Sequence, residues 1–164
     1  MLRKTLFFSL FLFVSQLQAQ TEADFEKFGS GIFSLISDTG SYPHLEYIRI
    51  KSWKQLINEQ DLESAEKEEW KLRIQDSYAN EKTEFEKKLG LIVQEYRAAS
   101  LKGAELTFLE SGYAPHPKWK NWYQCYIRFG FEHEGVQTMV DLNYELYYNG
   151  KGLLFIGTRL DEDF

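Results

Sequence analysis

The residues best suited to recognition stand between Tyr113 and Trp122, where Tyr113, His116, Lys118, Trp119, Lys120 and Trp122 share ten positions. Pro115 and Pro117 stiffen this segment and exclude regular structure within it. Aromatic and basic groups on such a loop can meet a partner at low entropic cost. The alternative is that the tryptophans pack back onto the domain. His44, His116 and His133 are too scattered for a metal site, and no His, Cys, Asp and Glu set has ligand spacing. Neither a Gly-rich phosphate loop nor a nucleophile motif is present, so neither metal nor cofactor is expected. The single cysteine, Cys125, excludes an intrachain disulfide and reads as a small buried hydrophobe on a strand.

The element that must position these groups runs from Tyr123 to Leu160, where apolar and polar residues alternate around Glu134-Gly135 and Asn149-Gly150. Asx-Gly between alternating strands is a strong hairpin signal, because a type I′ turn needs two residues that tolerate positive φ. With Glu134-Gly135 as a two-residue turn, His133 faces Val136, Phe131 faces Thr138, Phe129 faces Val140, Ile127 faces Leu142, Cys125 faces Tyr144 and Tyr123 faces Leu146. With Asn149-Gly150 as another, Tyr148 faces Lys151, Leu146 faces Leu153, Tyr144 faces Phe155 and Leu142 faces Gly157. Both registers put Val140, Leu142, Tyr144 and Leu146 on one side. That side carries aromatic and aliphatic groups and no Asp or Glu. The other side places Arg128 opposite Asp141 and Gln124 opposite Glu145, so one face is buried and one is at least partly wet. Ala104 to Tyr113 reads as a preceding strand with Leu106 and Phe108 on one side.

Helices precede the sheet. Thr21-x-x-Asp24 resembles a capping box and is followed by Phe25, Phe28, Ile32, Phe33, Leu35 and Ile36 at helical spacing. Ser41 with Pro43 opens a second segment whose face is Leu45, Ile48, Trp53, Leu56 and Ile57, although Tyr47-Ile48-Arg49-Ile50 is β-prone. Asp61 to Ala99 is helical and charged, with Trp70, Ile74, Tyr78, Phe85, Leu89, Ile92 and Tyr96 on a stripe. One helix of that length would approach 60 Å at about 1.5 Å per residue, long for a compact domain, so a break is expected at Ser77 to Asn80.

Met-Leu-Arg-Lys, an apolar run over residues 5–15 and Ala19 together read as a secretory signal peptide over residues 1–19. The apolar run is far short of the ~20 residues a bilayer requires. This predicts a secreted or periplasmic protein whose residues 20–164 form a single α+β domain, helical over 20–102 and an antiparallel sheet over 103–164. Without Arg3 and Lys4, 17 of the 19 basic residues remain against 25 acidic ones. That balance argues against nucleic acid, whose phosphates need a basic patch.

Helices followed by an antiparallel meander that closes on Tyr148-Asn149-Gly150-Lys151 resemble the cystatin-like α+β roll. Leu142 to Gly157 looks like the final hairpin of nuclear-transport-factor-2-like domains. The resemblance implies a curved sheet with helices across its concave face and a conical cavity between them, used in that superfamily by isomerases, dehydratases and ligand binders. Enzymes of this kind use a carboxylate or histidine inside the cavity. The inward positions here supply none, unless a helix or Glu110 does; His133 and Arg159 share the inward parity, at a turn and near the strand end. A binding module is thus favoured, taking a small apolar molecule or a protein partner, with Tyr123, Tyr144, Phe155, Tyr113, His116 and Trp119 as contact residues. A small isomerase- or dehydratase-like enzyme is the alternative. Met139, Tyr147, Leu154, Ile156, Tyr126 and Trp122 make the open sheet face apolar enough for a homodimer.

Overall fold

A computed structural model describes residues 22–37 and 47–163. Residues 1–19, read above as a signal peptide, and Thr21, Ser41, Pro43, His44 and Leu45 lie outside the described residues, as do the side chains of His133 and Arg159. The order is α1 (22–36), α2 (Ile50–Glu59), α3 (Ser64–Leu101), β1 (Glu105–Pro115), β2 (Trp122–His133), β3 (Val136–Tyr148) and β4 (Leu153–Asp163). The four strands form one curled antiparallel sheet in sequence order, which makes the fold α+β.

The Glu134-Gly135 turn fixes its hairpin as its chemistry requires. Both residues have positive φ, 53° and 79°, and every pair from His133–Val136 to Tyr123–Leu146 forms as read from the sequence. The second hairpin differs. Asn149 does not take the positive φ of a type I′ turn. Its side-chain oxygen accepts instead from the amides of Lys151 (2.9 Å) and Gly152 (3.0 Å), closing a four-residue loop. Tyr148 therefore pairs with Leu153 and Leu146 with Phe155, a shift of two that keeps the same residues inside. A bulge after Phe155 then reverses the alternation, so Leu160 falls opposite Tyr144 and Glu162 opposite Leu142. The inner face is thus not free of carboxylates: Glu162 lies on it. β1 also runs past Tyr113 to Pro115, which as the last residue of an edge strand has no ladder hydrogen bond to lose.

α1 covers the inner face, setting Phe25, Phe28, Ile32 and Ile36 into a core with Ile127, Phe129, Leu142, Tyr144, Leu146 and Phe155. Gly29 permits the close approach: a Cβ there would come within 2.7 Å of the Ser111 Cβ. The β-prone run before α2 behaves as its residue types suggest. Ile48 N–H donates to the Phe155 carbonyl at 2.6 Å, and Tyr47 forms a parallel bridge to Phe155, adding a short fifth rung beside β4.

α3 is one unbroken helix of 38 residues, against the break expected at Ser77 to Asn80. Tertiary contacts override the local drop in helix propensity. The Tyr47 ring lies 5.8 Å from that of Tyr78 and 5.2 Å from that of Phe85, clamping the helix within the weak stretch and one turn beyond it. The Tyr47 hydroxyl donates to Glu81 (3.1 Å) between them. Beyond this clamp the two ends of α3 serve different faces. Tyr96 stacks edge-on to Phe129 at 4.9 Å inside, whereas Trp70 and Ile74 lie with α2 over the outer face.

Candidate functional site

On the outer face α2 and the first half of α3 cover the end of the sheet near Trp122, Tyr147 and Ile156. Tyr147 and Ile156 are fully buried there, and Trp122 and Leu154 are partly buried. The apolar patch expected on this face is therefore mostly covered by the chain itself; Met139 stays 65% exposed, farther along β3. Beyond the covered end, Arg128 is held between Asp141, which accepts from Nε and Nη2 at 2.7 and 2.6 Å, and Glu110, which accepts from Nη1 at 2.7 Å. Glu110 is thus committed to the solvent side and does not enter the core.

Between the helices and this end of the sheet lies a cleft of about 360 Å³. All four tryptophans of the chain line it, each from a different element: Trp53 from α2, Trp70 from α3, Trp119 from the β1–β2 loop and Trp122 from β2. Their rings form a continuous chain. Trp53 meets Trp122 at 5.9 Å and 73°, Trp122 meets Trp119 at 5.6 Å and 43°, and Trp119 meets Trp70 at 5.4 Å and 89°. Ile57, Ile74 and Ile156 fill the wall between them, and Arg73, Ser77, Glu81 and Glu145 bring polar groups. The Arg73 guanidinium lies 5.4 Å over the Trp70 ring.

Buried polar contacts hold the loop that carries Trp119. Gln60, at the end of α2, is buried; its side-chain amide donates to the carbonyls of Leu56 (2.7 Å) and Lys120 (3.2 Å), and its oxygen accepts from the Lys120 amide (2.7 Å). Glu59 accepts from Asn121 (3.0 Å) and from the Tyr147 hydroxyl (3.0 Å), tying α2 to both loop and sheet. His116 Nδ1 accepts from the amides of Lys118 (3.1 Å) and Trp119 (3.2 Å) while its ring lies 5.2 Å from Trp122. His116 therefore shapes the loop.

The indole N–H of Trp122 is buried with no hydrogen-bond acceptor among the described residues. Burial, the Glu81 charge and the bond to Glu81 push the Tyr47 hydroxyl upward, and the nearby Trp53 indole pulls the other way. Burial and its bond to Glu59 also raise the Tyr147 hydroxyl. Both stay protonated donors throughout the ordinary pH range.

The contact residues expected from sequence divide in two. Trp119 lines the cleft and His116 supports it. Tyr113, Tyr123, Tyr144 and Phe155 lie on the opposite side of the sheet, packed against α1: Phe25 stacks on Tyr113 at 3.9 Å and meets Tyr123 at 4.7 Å, and Phe28 meets Phe155 at 5.1 Å and Tyr144 at 6.2 Å. Cys125 is buried among them, and burial raises its thiol well above the usual range. Sequence reasoning missed Trp53, Trp70, Arg73 and Glu81 as site residues, because the helical stripe places the two tryptophans with the core. The available signal was the tryptophan count, four in 164 residues, distributed over separate elements. No protein-family model matches the chain, and no curated protein or solved structure matches it.

Proposed function

We propose that the chain is an exported, non-enzymatic binding module whose ligand site is the four-tryptophan cleft, and that it takes a small molecule with substantial apolar surface. The observation that carries this reading is the convergence of every tryptophan onto one cleft from four elements. Binding pockets are typically concave, largely aromatic, and carry a few placed polar groups; the volume here falls within their usual range of roughly 300–1,000 Å³. The buried Trp122 indole N–H, which has no acceptor among the described residues, leaves donor capacity beside the cleft that these residues do not use. Residues 1–19 support export to the periplasm or beyond, and the acidic balance argues against a nucleic-acid role.

The test is titration of the mature protein with Nile red, a neutral apolar dye. One saturable site is expected, lost in Trp119→Ala while the melting transition is retained, because Trp119 is only partly buried. Absence of saturable binding, or binding unaltered by Trp119→Ala, overturns the assignment.

A further inference from the structure

We propose that the cleft receives the head group of a small organic cation, an alkylated or quaternary ammonium. This rests on the cleft being the ligand site. Three features favour a cation over a neutral or anionic ligand. First, the rings meet edge-on or tilted, at 73°, 89° and 43°, so around the cleft they line, their faces turn in different directions rather than form a flat stack. Ring faces carry the negative lobe of the aromatic quadrupole, and a box of such faces is the arrangement that holds quaternary ammonium groups. Second, a positive group already rests on this wall: the Arg73 guanidinium over Trp70 at 5.4 Å. Third, among the described residues the charges that line the cleft are Glu81 and Glu145 against Arg73, a negative balance. An anionic ligand would face two carboxylates across a partly desolvated gap. The net charge of the chain, −6, extends that preference to long range.

The experiment is isothermal titration calorimetry of the mature protein with choline, with 3,3-dimethylbutan-1-ol, and with methyl glucoside. The alcohol has the shape of choline with carbon in place of the charged nitrogen. Choline is expected to bind at least about tenfold tighter than the alcohol. Its affinity falls by a similar factor in Trp70→Leu, and falls with added salt less steeply in Glu145→Gln than in the parent. The Glu145 variant keeps the test decisive if Trp70→Leu melts early. Equal binding of choline and the alcohol, or preference for the glucoside, overturns the cation while leaving the cleft as a site. No heat with any of the three also overturns it; the cleft reading falls as well only if Nile red is refused.

Discussion

Glu162 illustrates what a single bulge can do to one side chain. It lies on the aromatic face, with one oxygen accepting from the Tyr96 hydroxyl at 3.3 Å and the other buried with no partner among the described residues. Burial, followed by the charge of Glu95, raises its carboxyl above the ordinary glutamate range, against the opposing effect of the Tyr96 bond. A raised value in the folded state means that folding favours the protonated acid. Its contribution is full below the unfolded value and is lost as pH rises through the folded one. Glu162→Gln should therefore raise the melting temperature at neutral pH, with the gain shrinking toward about pH 4. Asp141 has the opposite sign. Its bond to Arg128, reinforced by the Arg128 charge, lowers its carboxyl, so its contribution is present above the ordinary aspartate range and lost as pH falls through the lowered value. Asp141→Asn should melt earlier than the parent at neutral pH and match it in strong acid. Melting curves of the parent and both variants across pH 2–8 (about that range) check the two signs together. The side of the sheet on which Tyr144 and Phe155 lie was legible from alternation. That α1 fills the space before them was not, because a period of two names a face and says nothing about what stands opposite it.

α3 shows where local propensity loses to packing. If the helix broke at Ser77 to Asn80, a proline there would be tolerated. Because the helix is continuous and clamped by Tyr47, Ala79→Pro should cost about 3 kcal/mol or more in chemical denaturation. Two glycines on helices give opposite expectations. A Cβ on Gly90 meets nothing within 4 Å, so Gly90→Ala should stabilise by about 0.5–1 kcal/mol. Gly29→Ala should destabilise despite the better propensity, because α1 would have to lift off Ser111. At the end of α2, Gln60→Ala leaves the Lys120 amide and carbonyl without their buried partner. A loss of about 1–3 kcal/mol is expected, accompanied by faster amide exchange over residues 116–121. Helix existence and stripe were readable from spacing, and the first hairpin from Glu134-Gly135. The second hairpin was misread because an asparagine can accept backbone amides with its side chain as readily as it can adopt positive φ.

For the whole molecule, the order of elements and the α+β class follow from patterns each confined to a dozen residues. The cleft does not, because it exists only where α2 and the first half of α3 pass to the outer side of the sheet, and no local pattern encodes that crossing. The four tryptophans thus come from sequence positions 53 to 122 and end as one chain of rings, each within 6 Å of the next. Chromophores so close share their excitation. Light absorbed by any indole can migrate along the series before it is emitted, and the coupled transitions should give a paired positive and negative band in ultraviolet circular dichroism. The tryptophan signal of this protein is therefore a property of one place within it. A molecule entering the cleft announces itself without a label, and loosening of α2 from the sheet would be visible before the strands have parted.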